Sequence, residues 1–293
     1  MSWKAVADLI VNAPEAPAAL LGAPMEAGSV TPGRCDLAPA AVRRALRRHS
    51  TYDLVSGLEL DMAIHDAGDV AVQGVMPSLG FEPIRDAVQD CTGRHALTLL
   101  LGGNNAVTRP AAHGLGLPLD QVGLITLDAH FDMRDTDAGP MNGNPVRCLL
   151  EDGLPGGNIC QIGLAPFANT RRMHEDAKAA GINIFTIADC ATAGIVAVLD
   201  QALARLAHVD EIMVDFDIDV IERAQLPGAP GARPGGLPVA DFLIAARRIG
   251  AAPKVRLVDL TEFDPSLDLS DVSALTAGRW VCEMLAGLAS RQA

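Results

Sequence analysis

The run Gln121-Val122-Gly123-Leu124-Ile125-Thr126-Leu127 is apolar at almost every position and then stops on Asp128-Ala129-His130-Phe131-Asp132. A strand without polar–apolar alternation is buried on both faces. It therefore demands a covering layer on each side of its sheet. Further strand-like runs stand at 18–21, 95–101, 158–164, 183–187, 211–214 and 255–260. They alternate with helix-like segments at 38–48, 83–92, 170–180, 193–207, 239–249 and 272–288. Strands and helices taking turns along a chain predict an α/β fold with a mainly parallel sheet. No internal repeat or composition break divides residues 1–293, so the expectation is a single domain. The Pro/Gly-rich stretch 227–238 has a linker's composition, but it follows an acidic cluster directly. It is read as a shaped loop beside a site.

Ligands of such sheets collect at the C-terminal strand ends. Four strand-like runs here end on polar groups: Gly102–Asn105, Asp128–Asp132, Asp215–Asp219 and Glu262. Asp128, His130 and Asp132 alternate in sequence, which in an extended segment puts their side chains on one side. Carboxylate with imidazole suits Mn²⁺, Zn²⁺ or Fe²⁺, and an oxygen-rich set favours Mn²⁺. The plain alternative is a turn cap at Asp128 and a satisfied core histidine at His130. Asp215, Asp217 and Asp219 alternate likewise, and three acids on one face repel unless a cation neutralises them. The alternative of an edge strand with solvated acids fits poorly with the apolar lead-in Ile212-Met213-Val214.

Bulk properties remove other classes. The chain has 293 residues and a formal net charge of −13. That is the wrong sign for a nucleic-acid binder and for an anionic membrane surface. Six cysteines are scattered without a C-x-x-C pair, as expected of reduced thiols in a cytoplasmic protein. No apolar run approaches the length of a membrane span, and Asn12, Pro14 and Glu15 break up the N-terminal apolar stretch before a signal-peptide core forms. A dinucleotide turn at Leu101-Gly102-Gly103 is set aside, because the G-x-G-x-x-G spacing is missing.

Gly102-Gly103-Asn104-Asn105, Asp128-Ala129-His130-Phe131-Asp132 and Asp217-Ile218-Asp219 followed by Pro227-Gly228 resemble, in order and spacing, the three signatures of the arginase/agmatinase/formimidoylglutamase (ureohydrolase) superfamily. Thr261-Glu262-Phe263-Asp264-Pro265 resembles its late glutamate-bearing segment. Gly22-Ala23-Pro24 and Pro32-Gly33 resemble its N-terminal loop. The likeness covers roughly residues 18–290. It implies a three-layer α/β/α sandwich around about eight parallel strands, a two-ion Mn²⁺ site, and a homo-oligomer, trimer or hexamer. By the resemblance, Asp128 and Asp217 bridge the ions, Asp132 binds the first, and His130 and Asp219 bind the second. Glu262 would hold the amidinium or guanidinium of a small-molecule substrate. Four carboxylates balance two divalent ions, which make hydroxide available near neutral pH. The implied reaction is hydroxide attack on the sp² carbon of a linear amidine, with Asp132 passing a proton to the leaving nitrogen.

The chain departs from the family pattern in three places. Asn105 stands where the first signature usually ends in a metal-binding histidine. Asn142 stands where arginases and agmatinases carry a proton-shuttling histidine, which formimidoylglutamases commonly lack as well. Glu222 and Asp215 replace an aspartate and a serine around the third signature. An amide oxygen at Asn105 would be a neutral but poorer ligand, so the ion bound by Asp132 should be the weaker one. Phe131 and Glu262-Phe263-Asp264-Pro265 look closest to formimidoylglutamases, which convert N-formimidoyl-L-glutamate to glutamate and formamide. Pro234-Gly235-Gly236-Leu237 looks instead like agmatinases and guanidino-acid hydrolases. Arg134 is the candidate contact for an anionic substrate, with Asn142 and Glu262. Arg147 is read as half of a structural ion pair, and the loop 165–171 as a source of further contacts. The alternative reading is a metal-impaired relative that binds or assembles without turnover.

Overall fold

The computed structural model describes residues 3–291. In chain order the strands are β1 (Ile10–Val11), β2 (Ala18–Ala23), β3 (Tyr52–Asp53), β4 (Leu58–Glu59), β5 (Ile64–Asp69), β6 (Leu97–Gly102), β7 (Val122–Leu127), β8 (Ile159–Leu164), β9 (Asn183–Thr186), β10 (Glu211–Asp217) and β11 (Val255–Thr261). The helices are α1 (Ala38–Ala45), α2 (Pro77–Thr92), α3 (Thr108–His113), α4 (Pro145–Asp152), α5 (Arg171–Ala180), α6 (Ile187–Ala193), α7 (Ile195–Arg205), α8 (Val239–Gly250) and α9 (Val272–Ser290). Nine strands form one sheet in the order β1-β5-β2-β6-β11-β10-β7-β8-β9, all paired in parallel. β3 and β4 make a separate antiparallel hairpin.

The absence of alternation in the strands has a direct cause. Leu97, Leu99 and Leu101 of β6 feed one core, while Leu100 feeds the other. In β10, Ile212, Val214 and Phe216 enter the first core and Met213 the second. Helices α1, α6, α7, α8 and α9 cover the first face, and α2, α3, α4 and α5 the second. The three layers expected from the sequence are therefore present, with nine strands rather than about eight. The strand missed is β5, Ile64-His65-Asp66-Ala67-Gly68-Asp69. Only Ile64 is buried there, so no apolar run announces it. The edge strand β1 is only two residues long, too short to register as a strand run in the sequence.

The short helices α3, α4 and α6 were not expected from the sequence, and two helix boundaries differ. α2 begins at Pro77, not Pro83, which lies inside the helix. Proline removes the bond to the carbonyl four residues back, here that of Leu79, a residue 72% exposed and open to water. The segment 38–48 is an α-helix that tightens into a 3-10 turn over Leu46–Arg48. Of its four arginines, two are in ion pairs, Arg43 with Asp66 and Asp69 and Arg48 with Asp271. Arg147 pairs with Asp176 at 2.5 Å. No single helix among the described residues is long and apolar enough to cross a membrane.

Candidate metal centre

β6, β11, β10 and β7 are consecutive in the middle of the sheet. Their C-terminal ends carry Asn105, Glu262, Asp217 with Asp219, and Asp128 to Asp132. Residues 27 to 157 positions apart in the chain are thereby brought into hydrogen-bond contact. Asp128, Asp132, Asp217, Asp219, Asn105 and Glu262 are all buried, and His130 is partly exposed. His130 Nδ1 stands 3.1 Å from Asp219 Oδ2 and 3.4 Å from Asp128 Oδ1. These three residues place ligand atoms within 4.8 Å of one another.

Strand alternation does not bring Asp128, His130 and Asp132 together. β7 ends at Leu127, and Asp132 has φ +52°, in the left-handed region. The segment is a turn pinned from several sides. Asp128 N donates to Ile162 O (3.0 Å), and His130 N to the Asp128 carboxylate (2.7 Å). Phe131 N donates to Asn169 Oδ1 (2.8 Å), whose own amide donates to Ala129 O (2.9 Å). Asp219 likewise lies just past its strand, in a 3-10 turn, where its N–H donates to Asp217 Oδ1 (2.9 Å). Glu262 is the second left-handed residue of the site, φ +61°. Such conformations cost roughly 1 kcal/mol or more and persist only where the surroundings enforce them. Both fall on residues whose aim matters.

The electrostatics fit a divalent cation. Burial, then Asp219, push the Asp128 carboxyl up to about 6. Burial and the neighbouring carboxylates also raise Asp132 and Asp217 well above the usual range. Burial alone would lower His130, yet Asp219 and Asp128 outweigh it and carry the imidazole up to about 12. Asp219 is held down by that imidazole against the effect of burial. A pocket that draws protons onto one imidazole and several carboxyls is short of positive charge. Mn²⁺-type ions supply it to an O/N donor set of this kind. Gly231 adds a fitted wall, since a Cβ there would lie 2.0 Å from Asp219 Oδ2.

Asn105 is placed differently from the ligand role considered for it. Its Nδ2 donates to Asp132 Oδ2 (2.6 Å), and its Oδ1 accepts from the Thr108 hydroxyl (2.5 Å). The oxygen, its ligating atom, therefore faces Thr108. Thr108 Oγ1 is also 2.8 Å from Asp259 Oδ2. One hydroxyl proton cannot serve both oxygens, so a second proton must come from the carboxyl side. Burial pushes Asp259 up to about 7 and raises its neighbour Asp215 as well. Asp215 and Asp259 are register partners on adjacent parallel strands. Asp215 thus belongs to a buried network behind the site and not to the metal-facing row its alternation suggested.

The cleft above these groups has a volume of about 120 Å³. Glu262 lines it, with Oε1 accepting from Asn105 N (2.8 Å) and Asn142 Nδ2 (3.0 Å). Burial raises Glu262 to about 7 against those two bonds. Arg134, Asn142 and Asn169 stand on the walls, and the 227–238 loop contributes Gly231 and Arg233. Asn169 comes from the 165–171 loop expected to supply contacts, while Arg233, Thr108 and Asp259 join the site without having been named from the sequence. Asp259 did leave a signal, a lone acid inside the apolar run Val255–Thr261.

Known proteins resemble this chain in sequence and in fold. The formimidoylglutamase of Halalkalibacterium halodurans is 31% identical over 275 residues, spanning 92% of this chain and 86% of that protein. The crystal structure of formimidoylglutamase from Bacillus subtilis superposes with a TM-score of 0.92 at 27% identity, covering 98% of this chain and 92% of that one. The Trypanosoma cruzi formiminoglutamase with Mn²⁺ shares the fold, with a TM-score of 0.92 at 22% identity over 99% of this chain and all of that one. The arginase family profile matches residues 16–287, and the chain belongs to the arginase family.

Proposed function

We propose that this protein is a manganese-dependent hydrolase that cleaves the C–N bond of a linear amidine, N-formimidoyl-L-glutamate, to glutamate and formamide. The observation that carries the reading is the convergence of buried Asp128, Asp132, Asp217 and Asp219 with the partly exposed His130 at a cleft that also presents Glu262. Relatives named formimidoylglutamase across most of the chain's length support it. Asp128 and Asp217 would each serve two ions, Asp132 one of them, and His130 with Asp219 the other. When bound, the ions supply the Lewis acidity that makes hydroxide available near pH 7.

The chain's own groups do the rest. Glu262 lines the cleft on a left-handed backbone and accepts N–H bonds from a planar amidinium. Asn142 and Asn105 N orient that carboxylate. Asp132 is aimed into the cleft by Asn105 Nδ2, takes up a proton as the amidine carbon is attacked, and returns it to the departing nitrogen. Asn105 acts in this scheme as a donor that steers Asp132, not as a ligand. The ion on that side would then be held by Asp128, Asp217 and Asp132 alone, and would bind more weakly than its neighbour.

The test is a panel of N-formimidoyl-L-glutamate, arginine, agmatine, guanidinobutyrate and guanidinopropionate with Mn²⁺-saturated protein. Formamide, urea and ammonia are measured beside metal content by mass spectrometry. Formamide from the first compound is expected. Folded protein that binds Mn²⁺ yet releases nothing from any of the five would refute the proposal, and folded protein that binds no Mn²⁺ would favour a role without turnover.

A further inference from the structure

The cleft joins two opposite charges that do not neutralise each other. Its floor is carboxylate, yet its walls carry Arg134 and Arg233 from two separate loops. Most arginines of this acidic chain hold a carboxylate, including Arg43, Arg109, Arg172, Arg247 and Arg279. Among the described residues neither Arg134 nor Arg233 has one within 4.0 Å. Both arginines are exposed to solvent, and local construction, not a carboxylate, positions each side chain.

That construction is visible at both positions. The Arg134 side chain lies over Gly143, where a Cβ would stand 2.6 Å from its Cδ and 2.9 Å from its Nε. Only glycine leaves room for that path. Arg134 N also donates to Gly143 O (3.0 Å), which closes the loop beneath it. Arg233 spends Nη1 on the carbonyl of Gly231 (2.6 Å), the residue packed against Asp219. That bond anchors the guanidinium and leaves Nε and Nη2 to donate elsewhere.

We infer that Arg134 and Arg233 form a two-point receptor for the two carboxylates of the substrate. The inference rests on the proposed function and names the residues that set its specificity. A ligand matching this cleft has a cationic planar head for the acidic floor and two anionic groups behind it. An amidine built on glutamate has that distribution. Agmatine would bring a second cation toward two guanidinium groups, and arginine one carboxylate with an ammonium. Arginine's planar fork suits bidentate carboxylate recognition, and removing such a charge-assisted partner weakens binding roughly ten- to a hundredfold.

The test uses the Mn²⁺-loaded full chain and the variants Arg134→Gln and Arg233→Gln, with metal content and melting temperature as controls. Each is assayed with N-formimidoyl-L-glutamate and with its analogues lacking the α- or the γ-carboxylate. Each variant should raise KM for the parent compound at least roughly tenfold. Each should also lose its discrimination against one analogue but not the other. Glutarate, measured as a competing ligand by calorimetry, should bind the wild type and lose affinity in both variants. Gly143→Ala, which displaces Arg134 while keeping its charge, should behave as Arg134→Gln does. If the wild type cleaves formimidoylglutamate while both variants keep KM and glutarate affinity within twofold, the receptor is refuted and the activity stands. If the wild type instead cleaves only an amidine without carboxylates, both fall.

Discussion

Glu262→Gln separates the electrostatics of the site from its shape. The variant keeps an acceptor oxygen for Asn105 N and Asn142 Nδ2 and removes one buried charge. In chelated protein, Glu262 goes from the ordinary glutamate value of 4.5 to about 7 on folding, because of its burial and against its two hydrogen bonds. The sign follows from linkage. Below about pH 4.5 both folded and unfolded chains hold the proton, and the glutamate costs nothing extra. As pH rises from there to about 7, the unfolded chain gives up the proton while the folded one keeps it, so folding loses stability. Each unit is worth about 1.4 kcal/mol, and the full interval comes to roughly 3 kcal/mol. In a chain of this size that corresponds to roughly 6 °C in melting temperature. Chelated wild-type and Glu262→Gln proteins should therefore melt close together near pH 4.5. By pH 7.5 the variant should melt several degrees higher, and Mn²⁺ should close most of that gap. The measurement is a melting curve at half-unit pH steps. Two curves that stay parallel within about 1 °C would refute the claim that Glu262 is buried charge on an acidic floor.

Three further outcomes follow from contacts of the same region. Gly231→Ala places a methyl 2.0 Å from Asp219 Oδ2, and the displaced carboxylate should weaken Mn²⁺ binding roughly ten- to a hundredfold in equilibrium dialysis; an unchanged affinity would mean that Asp219 is not a ligand. Thr108→Val leaves Asn105 Oδ1 and Asp259 without their shared hydroxyl. It should cost about 1–3 kcal/mol in stability while freeing the Asn105 amide to turn toward the ion, so Mn²⁺ affinity should rise; a fall would contradict the steering role. Trp280→Ala opens a void where Phe216 meets Trp280 (ring centroids 5.4 Å apart), at about 3–5 kcal/mol. Because Phe216 sits between Asp215 and Asp217 on β10, metal retention on heating should fall with it, and a normal metal content in a strongly destabilised variant would show that β10 is anchored elsewhere.

Much of the fold was legible because burial on both faces writes itself into composition. β2, β6, β7, β8, β10 and β11 have few polar residues to disguise them, and their boundaries fall within three residues of the sequence reading. β5 was illegible for the converse reason: it is mostly half-exposed, and Gly68 and two aspartates give it no strand signature. The candidate ligands were legible as residue types at strand ends. Their roles were less so. Asp215 and Asp217 look equivalent in sequence, yet register pairs Asp215 with Asp259 and leaves Asp217 at the strand's end.

The layers, the residue types of the candidate ligands and the family are all readable from the sequence alone. Those are set by hydrophobic period and residue type, both local quantities. Tertiary structure decided what depends on contact between distant segments. It brought β6, β11, β10 and β7 side by side, so that four strand ends share one cleft. It turned Asp132 and Glu262 into left-handed conformations that no strand pattern encodes. It gave the Asn105 oxygen to Thr108 and its amide nitrogen to Asp132. It also set Arg134 and Arg233 on one cleft from loops about a hundred residues apart in the chain. A side chain's aim is a balance of hydrogen bonds, packing and charge from all sides, and only the folded chain brings those sides together.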